Sequence, residues 1–363
     1  MSSLVTNRSI TYINNKSPLI ITGEEIDLDT VYSENEVVVE IHAAALNPVD
    51  YMLYKFAFPL LVNKQPKKLC MDFSGVIVRR GEKVKEFKSG DKITGKYWHV
   101  FGKQGTLSNY LVLDPEKVAT VAPSVSFGEQ GGEEYDDFVL NAAWPLVFGT
   151  ALQGLTHSCQ KLGPDSRILI IGASTAVGNC AVQIAKNYLK VGTVAGVCSK
   201  DSIEYNRAFG FDHLIPYDDG DLVKTTKALI SDEWGGGKCD LIFDCVGNSC
   251  FFPHINDVLK PQSANSYYVT IVGDRKIVYK APKISNFFPV WESLRRHGPY
   301  KKYNYANIHS GGSREAIDLG NQLISRQEFV PQIDSVWEFD DYQRAFDKLI
   351  SNRAKGKIVI KVR

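Results

Sequence analysis

The sequence predicts an α/β protein in two parts, a β-rich N-terminal domain and a domain built on a doubly wound parallel sheet. Residues 1–135 carry short β-branched segments, such as 36–46 and 72–80, which Gly, Pro and Asp turns separate. From about residue 138, apolar strands alternate with helical segments, as in βαβ units. There, residues 167–171 run into a Gly-bearing turn and a helix, the layout of a dinucleotide site.

Local patterns predict the elements in order. Near the N-terminus, SITYI and PLIIT are predicted strands joined by the turn N-N-K-S. The strands of the second half are apolar on both faces, which is typical of a parallel sheet covered by helices. They span 167–171, 193–199, 213–217, 239–247 and 266–273. The C-terminal part is predicted to contain a helix over 314–327, then strands over 334–339 and 356–362 that flank a second helix.

Composition and charge exclude several classes of protein. A chain of 363 residues is long for a single core, which favours two domains. Lys and Arg total 42 and Asp and Glu total 41, so the net charge of +1 creates no field that attracts nucleic acid or anionic lipid. The stretch 295–305 interleaves cations with aromatic residues, but a solvated loop is the favoured interpretation. We therefore expect no nucleic-acid partner and no stable membrane insertion.

Cysteine usage and the N-terminal segment bear on location. The seven cysteines form no C-x-x-C pair, which indicates reduced thiols in an intracellular, cytoplasmic protein. The N-terminal segment has no apolar core of the secretory type. It contains Arg8 and Lys16 and no acid before Glu24, a faint likeness to a mitochondrial presequence. Two strands of a folded domain are the favoured interpretation of this segment.

The turn after strand 167–171 has an altered glycine pattern. When it is aligned with G-x-G-x-x-G, the first two glycine positions hold Ala173 and Thr175, and only Gly178 is kept. The Cβ of Thr175 stands where backbone usually approaches phosphate, whereas its hydroxyl and that of Ser174 are suited to donate to phosphate oxygens. We expect nucleotide binding to survive through the helix N-terminus. The predicted contact residues are Gly172, Ala173, Ser174, Thr175, Ala176, Val177 and Gly178.

The end of the second strand of this region predicts the form of the cofactor. An NAD site usually places Asp or Glu there to bind the ribose 2′-hydroxyl. This chain instead has Ser199 and Lys200, and a hydroxyl beside a cation suits a 2′-phosphate. NADPH is therefore favoured over NADH. Asp201 is a nearby acid that opposes this preference, and a solvated surface lysine is the alternative interpretation of Lys200.

Six blocks along nearly the whole chain match one family in the same order. They are HAAALNPVDY (42–51), the DFSGVIV run (72–95), PLVFGTALQGL (145–155), ILIIGAS–AVG (168–178), DLIFDCVGN (240–248) and RAKGKIVIKV (353–362). These blocks resemble the medium-chain dehydrogenase/reductase superfamily, in its zinc-free quinone oxidoreductase (zeta-crystallin-like) branch, and within it a fungal Yim-type group. Their shared order makes the resemblance more specific than any single motif.

The resemblance implies a domain organisation and partners. A GroES-like β domain would cover 1–136 and be completed by 290–363, and a Rossmann NADPH-binding domain would cover 137–289, with the active cleft between them. It further implies a small-molecule substrate, a homodimer, and peripheral association with mitochondria or lipid droplets. The apolar stretch 286–294 would serve core packing, the substrate mouth or a dimer seam.

The zinc enzymes of the same superfamily are a rival interpretation. Their catalytic metal needs Cys and His ligands. The corresponding positions here hold Asn47, Met71 and Leu146, and no cysteine lies between Cys70 and Cys159 to form a structural zinc lobe. The sequence therefore predicts chemistry without zinc.

The resemblance also implies the roles of individual residues. Asn47 would lie near the nicotinamide ribose, with Asp50 holding its turn, and Thr150 would lie beside the nicotinamide. Tyr217 would approach the 2′-phosphate. The strand ends that face the cofactor would contribute Val246, Asn248, Val272 and Gly273.

Departures from the branch leave two functions open. The tyrosine expected eleven residues past Asn47 is Phe58, and Met52 replaces the lysine of related alkenal reductases. Tyr54 is the candidate that would replace the missing hydroxyl. The first function is an NADPH-dependent, zinc-independent reductase that transfers hydride to a quinone, enal or related conjugated carbonyl compound. The alternative is a catalytically weak or inactive NADPH-binding stress or interaction protein of the same fold.

Overall fold

The structure, a computed structural model, divides the chain into two compact units. It describes residues 3–59, 65–98, 102–130, 132–157, 161–283, 294–296, 301, 303–309 and 313–363. Unit 1 comprises Met1–Leu146, Tyr279–Pro282 and Gly312–Arg363. Unit 2 comprises Val147–Val278 and Lys283–Gly311.

Unit 1 is rich in β structure. Its strands are β1 (Leu4–Tyr12), β2 (Ile20–Asp27), β3 (Val37–Leu46), β4 (Lys67–Lys68), β5 (Asp72–Arg80), β6 (Lys92–Lys96), β7 (Tyr110–Leu113), β8 (Ala119–Val121), β15 (Ile333–Glu338) and β16 (Lys357–Lys361). Its helices are α1 (Pro48–Lys55), α2 (Pro115–Val118), α3 (Asp137–Ala142), α9 (Arg314–Ser325) and α10 (Tyr342–Ile350), and α4 (Pro145–Leu155) begins there and continues into unit 2.

Two sheets form unit 1. The smaller has the order β2-β1-β4, and the larger has the order β15-β16-β3-β5-β6-β8, with β7 also paired to β3. The β16 strand of the C-terminal tail pairs antiparallel with β3, opposite Ala43–Leu46. Apolar residues of these strands, among them Ile41, Phe73 and Ile93, are fully buried in one core.

Unit 2 has the doubly wound parallel architecture that the sequence predicts. Its strands are β9 (Arg167–Ile171), β10 (Thr193–Cys198), β11 (His213–Pro216), β12 (Leu241–Asp244), β13 (Tyr267–Thr270) and β14 (Asn304–Asn307). All pair in parallel, in the order β11-β10-β9-β12-β13-β14. Its further helices are α5 (Ala176–Gln183), α6 (Ile203–Arg207), α7 (Leu222–Asp232) and α8 (Ile255–Val258). The strand order reverses between β9 and β12, where open α/β sheets bind ligands.

The unit boundaries differ from the predicted ones at 136 and 290. Helix α3 belongs to unit 1, because its Val139 and Ala142 pack against Ala43 and Ala45 of β3. Apart from the short segment Tyr279–Pro282, the chain returns to unit 1 at Gly312, because β14 first adds a sixth strand to the parallel sheet of unit 2. The sequence analysis did not recognise this short strand.

The run Asp137–Leu155 is the one part of the described chain that is long and apolar enough to cross a membrane, with a mean hydropathy of 1.3. However, 83% of the 18-residue window that has this hydropathy is buried inside the protein, as in a core helix. The predicted apolar stretch 286–294 lies almost wholly outside the described residues, as does much of 295–305. In the latter stretch, Tyr303 and Tyr305 belong to the core of unit 2.

Candidate functional site

The turn after β9 requires glycine at its first position. Gly172 has a φ of +92°, a region that favours glycine, and a Cβ there would lie 2.6 Å from Cγ1 of Val246. The N–H groups of Gly172 and Ala173 both donate to the carbonyl of Val197 in β10, at 3.0 and 2.9 Å. Two backbone hydrogen bonds thus hold the turn against the neighbouring strand.

Gly178 allows the helix to pack closely on the strand. A Cβ at this position would lie 2.2 Å from the carbonyl oxygen of Gly172, well inside van der Waals contact. This is the packing role that the third glycine of a dinucleotide fingerprint has. The structure therefore gives a physical reason why this glycine remains although the two before it are replaced.

Thr175 acts as the N-cap of α5. Its hydroxyl donates to the carbonyl of Gly172 at 2.7 Å and accepts from the N–H of Gly178 at 3.0 Å. In this structure the proton of the hydroxyl is used inside the turn, so its donation to a phosphate would require that hydrogen bond to be exchanged and stays a prediction. The hydroxyl of Ser174 differs, because it accepts from Nδ2 of Asn206 at 2.8 Å and keeps its own proton for another acceptor.

The first turn of α5 leaves backbone donors for an anion. Thr175 satisfies the N–H of Gly178 through its side chain and that of Asn179 through its carbonyl. The N–H groups of Ala176 and Val177 have no acceptor within the helix, because they precede its first hydrogen bond. Two such donors at the positive end of a helix are suited to a phosphate group.

The ends of β10 and β11 carry the predicted 2′-phosphate residues. Ser199 shares a hydrogen bond of 2.8 Å with the hydroxyl of Ser202. The Nζ of Lys200 pairs with Asp219 at 2.7 Å, and its backbone N–H donates to Asp218 at 2.8 Å. Asp219 is the main cause of the raised pKa of Lys200. Lys200 is thus paired with Asp219 on an exposed edge, whereas the sequence analysis considered Asp201 as the nearby acid.

Tyr217 follows β11 at the same edge. It is 54% exposed, and its N–H donates to the carbonyl of Cys198 at 2.9 Å, which ties the end of β11 to that of β10. Tyr217 is therefore exposed at the strand end next to that of Ser199 and Lys200, and its approach to a 2′-phosphate stays a prediction.

Asp244 builds the loop after β12, a role that the sequence analysis missed. One of its oxygens accepts from the N–H groups of Val246 and Gly247, at 3.0 and 2.9 Å. The other accepts from the N–H of Asn248 at 2.7 Å and from the hydroxyl of Tyr268 at 2.8 Å. Burial raises the pKa of this carboxyl to about 6 despite these donors. An Asp at a strand end followed by C-V-G-N is the signal that indicates such a turn.

The ends of β13 and β14 complete the carboxyl edge of the sheet. The hydroxyl of Thr270 accepts from the N–H groups of Val272 and Gly273, and Gly273 has a φ of +99°. At the end of β14, the amide nitrogen and oxygen of Asn307 are buried and have no hydrogen-bond partner in the described part of the chain. The sequence analysis missed Asn307 because it did not predict β14. An unpaired buried amide indicates a place for a polar ligand group.

A buried polar cluster surrounds Asn47 in unit 1. Its Nδ2 donates to Asp72 at 2.9 Å, and its Oδ1 accepts from Nζ of Lys357 at 2.7 Å. Lys357 also pairs with Asp72 at 2.9 Å, with side chains 3% and 0% exposed. The second oxygen of Asp72 accepts from the N–H of Leu146 at 2.9 Å. The cluster fixes the amide of Asn47 through two charged partners.

These residues do not fit a zinc ion. The side chain of Asn47 is bound to an ammonium and a carboxylate, and Met71 and Leu146 offer a thioether and a hydrocarbon. Within the described ranges, no group of three or more His, Cys, Asp or Glu side chains is placed to hold a metal.

Asp50 completes the N-terminus of α1. Its Oδ2 accepts from the N–H of Asn47 at 2.7 Å and lies 3.6 Å from Sγ of Cys70. Its Oδ1 is buried and has no hydrogen-bond partner among the residues described. Burial, with a smaller contribution from the charge of Asp72, raises the pKa of Asp50 to about 7.

Asp50→Asn is expected to change the pH dependence of stability. Because the folded pKa is raised, protonated Asp50 favours folding below the unfolded value near 4, and this contribution is lost as the pH rises through about 7. The variant should match the wild type near pH 4 and exceed it above pH 7 by roughly 2–4 kcal/mol. Urea unfolding at both pH values measures this difference. If the free energies of unfolding of the two proteins differ by the same amount at every pH, the raised pKa of Asp50 does not contribute to stability.

The remaining predicted catalytic residues have other contacts. The hydroxyl of Tyr54 donates to the carbonyl of Ser17 at 2.7 Å, and its ring packs edge-on against Tyr12. Tyr54 thus anchors the N-terminal turn to α1, and its proton is already used. Thr150 lies in α4 and is 4% exposed.

Comparisons with known proteins agree with this architecture. The alcohol dehydrogenase GroES-like domain matches residues 33–123, and the zinc-binding dehydrogenase family matches residues 209–360. Protein YIM1-1 of Lachancea thermotolerans is 53% identical over 362 residues, covering 100% of both chains. Protein YIM1 of Saccharomyces cerevisiae is 45% identical over 361 residues, covering 99% of each.

Solved structures show the same fold. The quinone oxidoreductase from Coxiella burnetii has a TM-score of 0.74 at 21% identity, covering 99% of this chain and 100% of its own. The CurK enoyl reductase has a TM-score of 0.73 at 20% identity, covering 98% of each chain. The chain therefore belongs to the medium-chain dehydrogenase/reductase superfamily, as a Yim-type protein with a quinone-oxidoreductase-like oxidoreductase fold.

Proposed function

We propose that the protein is an NADPH-dependent, zinc-independent reductase that transfers hydride to a quinone, an enal or a related conjugated carbonyl compound. The observation that carries the proposal is the turn from Gly172 to Gly178. It keeps the positive φ, the close helix packing and the free N–H groups that a dinucleotide needs, although it lacks two glycines.

The residues at the carboxyl edge of the sheet suit the parts of NADPH. The N–H groups of Ala176 and Val177 and the hydroxyl of Ser174 would donate to the pyrophosphate. Lys200 would pair with the 2′-phosphate, and the amide of Asn307 offers a donor and an acceptor to a polar group farther along the edge. The bound nicotinamide supplies the hydride, and the protein supplies orientation and a proton.

The second candidate function is NADPH binding with weak or no turnover, in a stress-linked or interaction role. The specific observation that favours it is the hydroxyl of Tyr54, which donates to Ser17 and does not replace the tyrosine lost at Phe58. Met52, where related reductases have lysine, is buried and apolar.

Calorimetric titration with NADPH and NADH, followed by NADPH oxidation assays, tests the proposal. The assays would use benzoquinone and cinnamaldehyde as acceptors, in protein treated with EDTA. We expect tighter binding of NADPH and turnover that the chelator leaves unchanged. Binding without turnover of any acceptor would support the second candidate, and no binding of either cofactor would overturn both.

Lys200 and Asp219 are expected to control the choice of cofactor in opposite directions. Both side chains are more than half exposed, so their ion pair is weak and easily exchanged for a phosphate. Lys200→Ala should weaken NADPH binding about 10- to 100-fold and leave NADH unchanged. Asp219→Asn should strengthen NADPH binding by up to about fivefold.

The matched control is Lys227→Ala, which removes another exposed Lys–Asp pair of unit 2, with Asp257 at 2.8 Å. Calorimetry should find its affinities for both cofactors unchanged. Equal losses of NADPH affinity in Lys200→Ala and Lys227→Ala would contradict a specific role of Lys200.

A further inference from the structure

Lys96, at the end of β6, is a buried lysine whose ammonium has no ion pair or hydrogen bond with the residues that the structure describes. It is 3% exposed, and its Nζ has no hydrogen-bond partner in the described part of the chain. Its ammonium lies over the ring of Trp98, whose centroid is 5.4 Å from Nζ. Burial lowers the pKa of Lys96, and the charge of Asp72 opposes this.

The position of Lys96 relates it to the Asn47 cluster. In the antiparallel pair of β5 and β6, Lys96 lies directly opposite Asp72. Asp72 is not available as its partner, because one oxygen binds Asn47 and Lys357 and the other binds the N–H of Leu146. An unpaired ammonium in such surroundings is strongly unfavourable. An oxygen acceptor supplied by a bound ligand would give Lys96 the partner that the described residues do not provide.

We propose that Lys96 binds the carbonyl oxygen of the substrate and protonates that oxygen during reduction. This inference rests on the proposed reductase function and names the group that would replace the missing tyrosine. It selects substrates whose reducible bond is conjugated to a carbonyl group, because an ammonium binds the negative charge that develops on that oxygen.

The proton and electron transfers balance for an enal. The β-carbon of the substrate gains the hydride, the C=C electron pair moves to the bond between the α-carbon and the carbonyl carbon, and the C=O pair moves to oxygen. Lys96 gives this oxygen one proton, and the resulting enol converts to the saturated aldehyde. The neutral amine of Lys96 then takes a proton from water, so each turnover consumes NADPH and one proton.

The test compares wild type, Lys96→Met, Lys96→Arg and the control Lys92→Met. Lys92 lies on the same strand but is 46% exposed and pairs with Asp137. The first readout is calorimetric binding of trans-cinnamate to the complex with NADP⁺, because its carboxylate resembles the charged oxygen. We expect Lys96→Met to bind cinnamate at least about tenfold more weakly, and Lys96→Arg and Lys92→Met to bind it as the wild type does.

The second readout is turnover of cinnamaldehyde. Lys96→Met and Lys96→Arg should each lower kcat at least about 100-fold, since arginine keeps the charge but does not release a proton. NADPH affinity should stay unchanged in all variants, which also reports that they fold. If Lys96→Met fails to fold, Lys96→Arg separates binding from proton transfer in the same way.

The outcomes distinguish this inference from the proposed function. Wild-type turnover together with unchanged cinnamate binding and kcat in Lys96→Met would overturn the role of Lys96 and leave the reductase standing. Wild type that binds NADPH but reduces no acceptor would overturn the reductase. In that case, weaker cinnamate binding by Lys96→Met than by the wild type would still support the binding of an oxygen atom by Lys96. Equal cinnamate affinities of the two proteins would refute it.

Discussion

Lys357→Met is expected to lower the free energy of unfolding by about 3–5 kcal/mol. Lys357 is 3% exposed and is the ammonium partner of the fully buried Asp72. Its removal would leave that carboxylate with neutral donors only, and the Oδ1 of Asn47 would lose its donor at 2.7 Å. Denaturant unfolding of the full chain measures the change.

The strand that carries Lys357 also provides its control. Lys361 lies at the other end of β16, is 39% exposed and pairs with Asp136 at 3.3 Å. Lys361→Met should cost less than about 1 kcal/mol, because exposed pairs contribute little. The double variant Asp72→Asn/Lys357→Met should lose less than the sum of the two single changes. If Lys357→Met and Lys361→Met lower the free energy of unfolding equally, burial of the Lys357–Asp72 pair does not increase its contribution to stability.

Gly178→Ala is expected to weaken NADPH binding at least about tenfold and to destabilise the protein by about 1–3 kcal/mol. The added methyl group would lie 2.2 Å from the carbonyl oxygen of Gly172, which is backbone and has no freedom to rotate away. Helix α5 would have to move from β9 and carry the N–H groups of Ala176 and Val177 with it. Calorimetry and thermal unfolding measure the two effects.

Gly163→Ala is the matched control for Gly178→Ala. Gly163 lies in the same unit, before β9, and a Cβ added there would have no atom of the described residues within 4 Å, its chain neighbours aside. Both changes add one methyl group, which contacts backbone in α5 at Gly178 and open space at Gly163. We expect Gly163→Ala to leave affinity and stability unchanged, and similar effects of the two variants would falsify the packing argument for Gly178.

Much of unit 2 could be predicted because local patterns carry its structure. Apolar segments bounded by turns predicted the five strands β9 to β13, and the turn at Gly172 predicted the start of α5. The short strand β14 was not predictable in this way. Its four residues NYAN have little apolar character, and they form a strand because β13 offers them an open edge.

The candidate site, like unit 2, has features that the sequence predicts and features that depend on the fold. The sequence by itself determined which groups follow each strand, since parallel strands bring their carboxyl ends to one edge. It also determined that Asn47, Met71 and Leu146 do not match zinc ligands. These conclusions depend on residue type and order along the chain, which the printed sequence contains.

Only the tertiary structure decided which partner each polar group has. It gave the hydroxyl of Thr175 to its own turn, that of Tyr54 to Ser17, and the ammonium of Lys200 to Asp219. It also paired Lys357 with Asp72 across 285 residues of sequence, and it placed Lys96 opposite the same carboxylate with no hydrogen-bond partner among the described residues. Hydrogen bonds and ion pairs act over a few ångströms, so the fold, and not the local sequence, decides which groups they join.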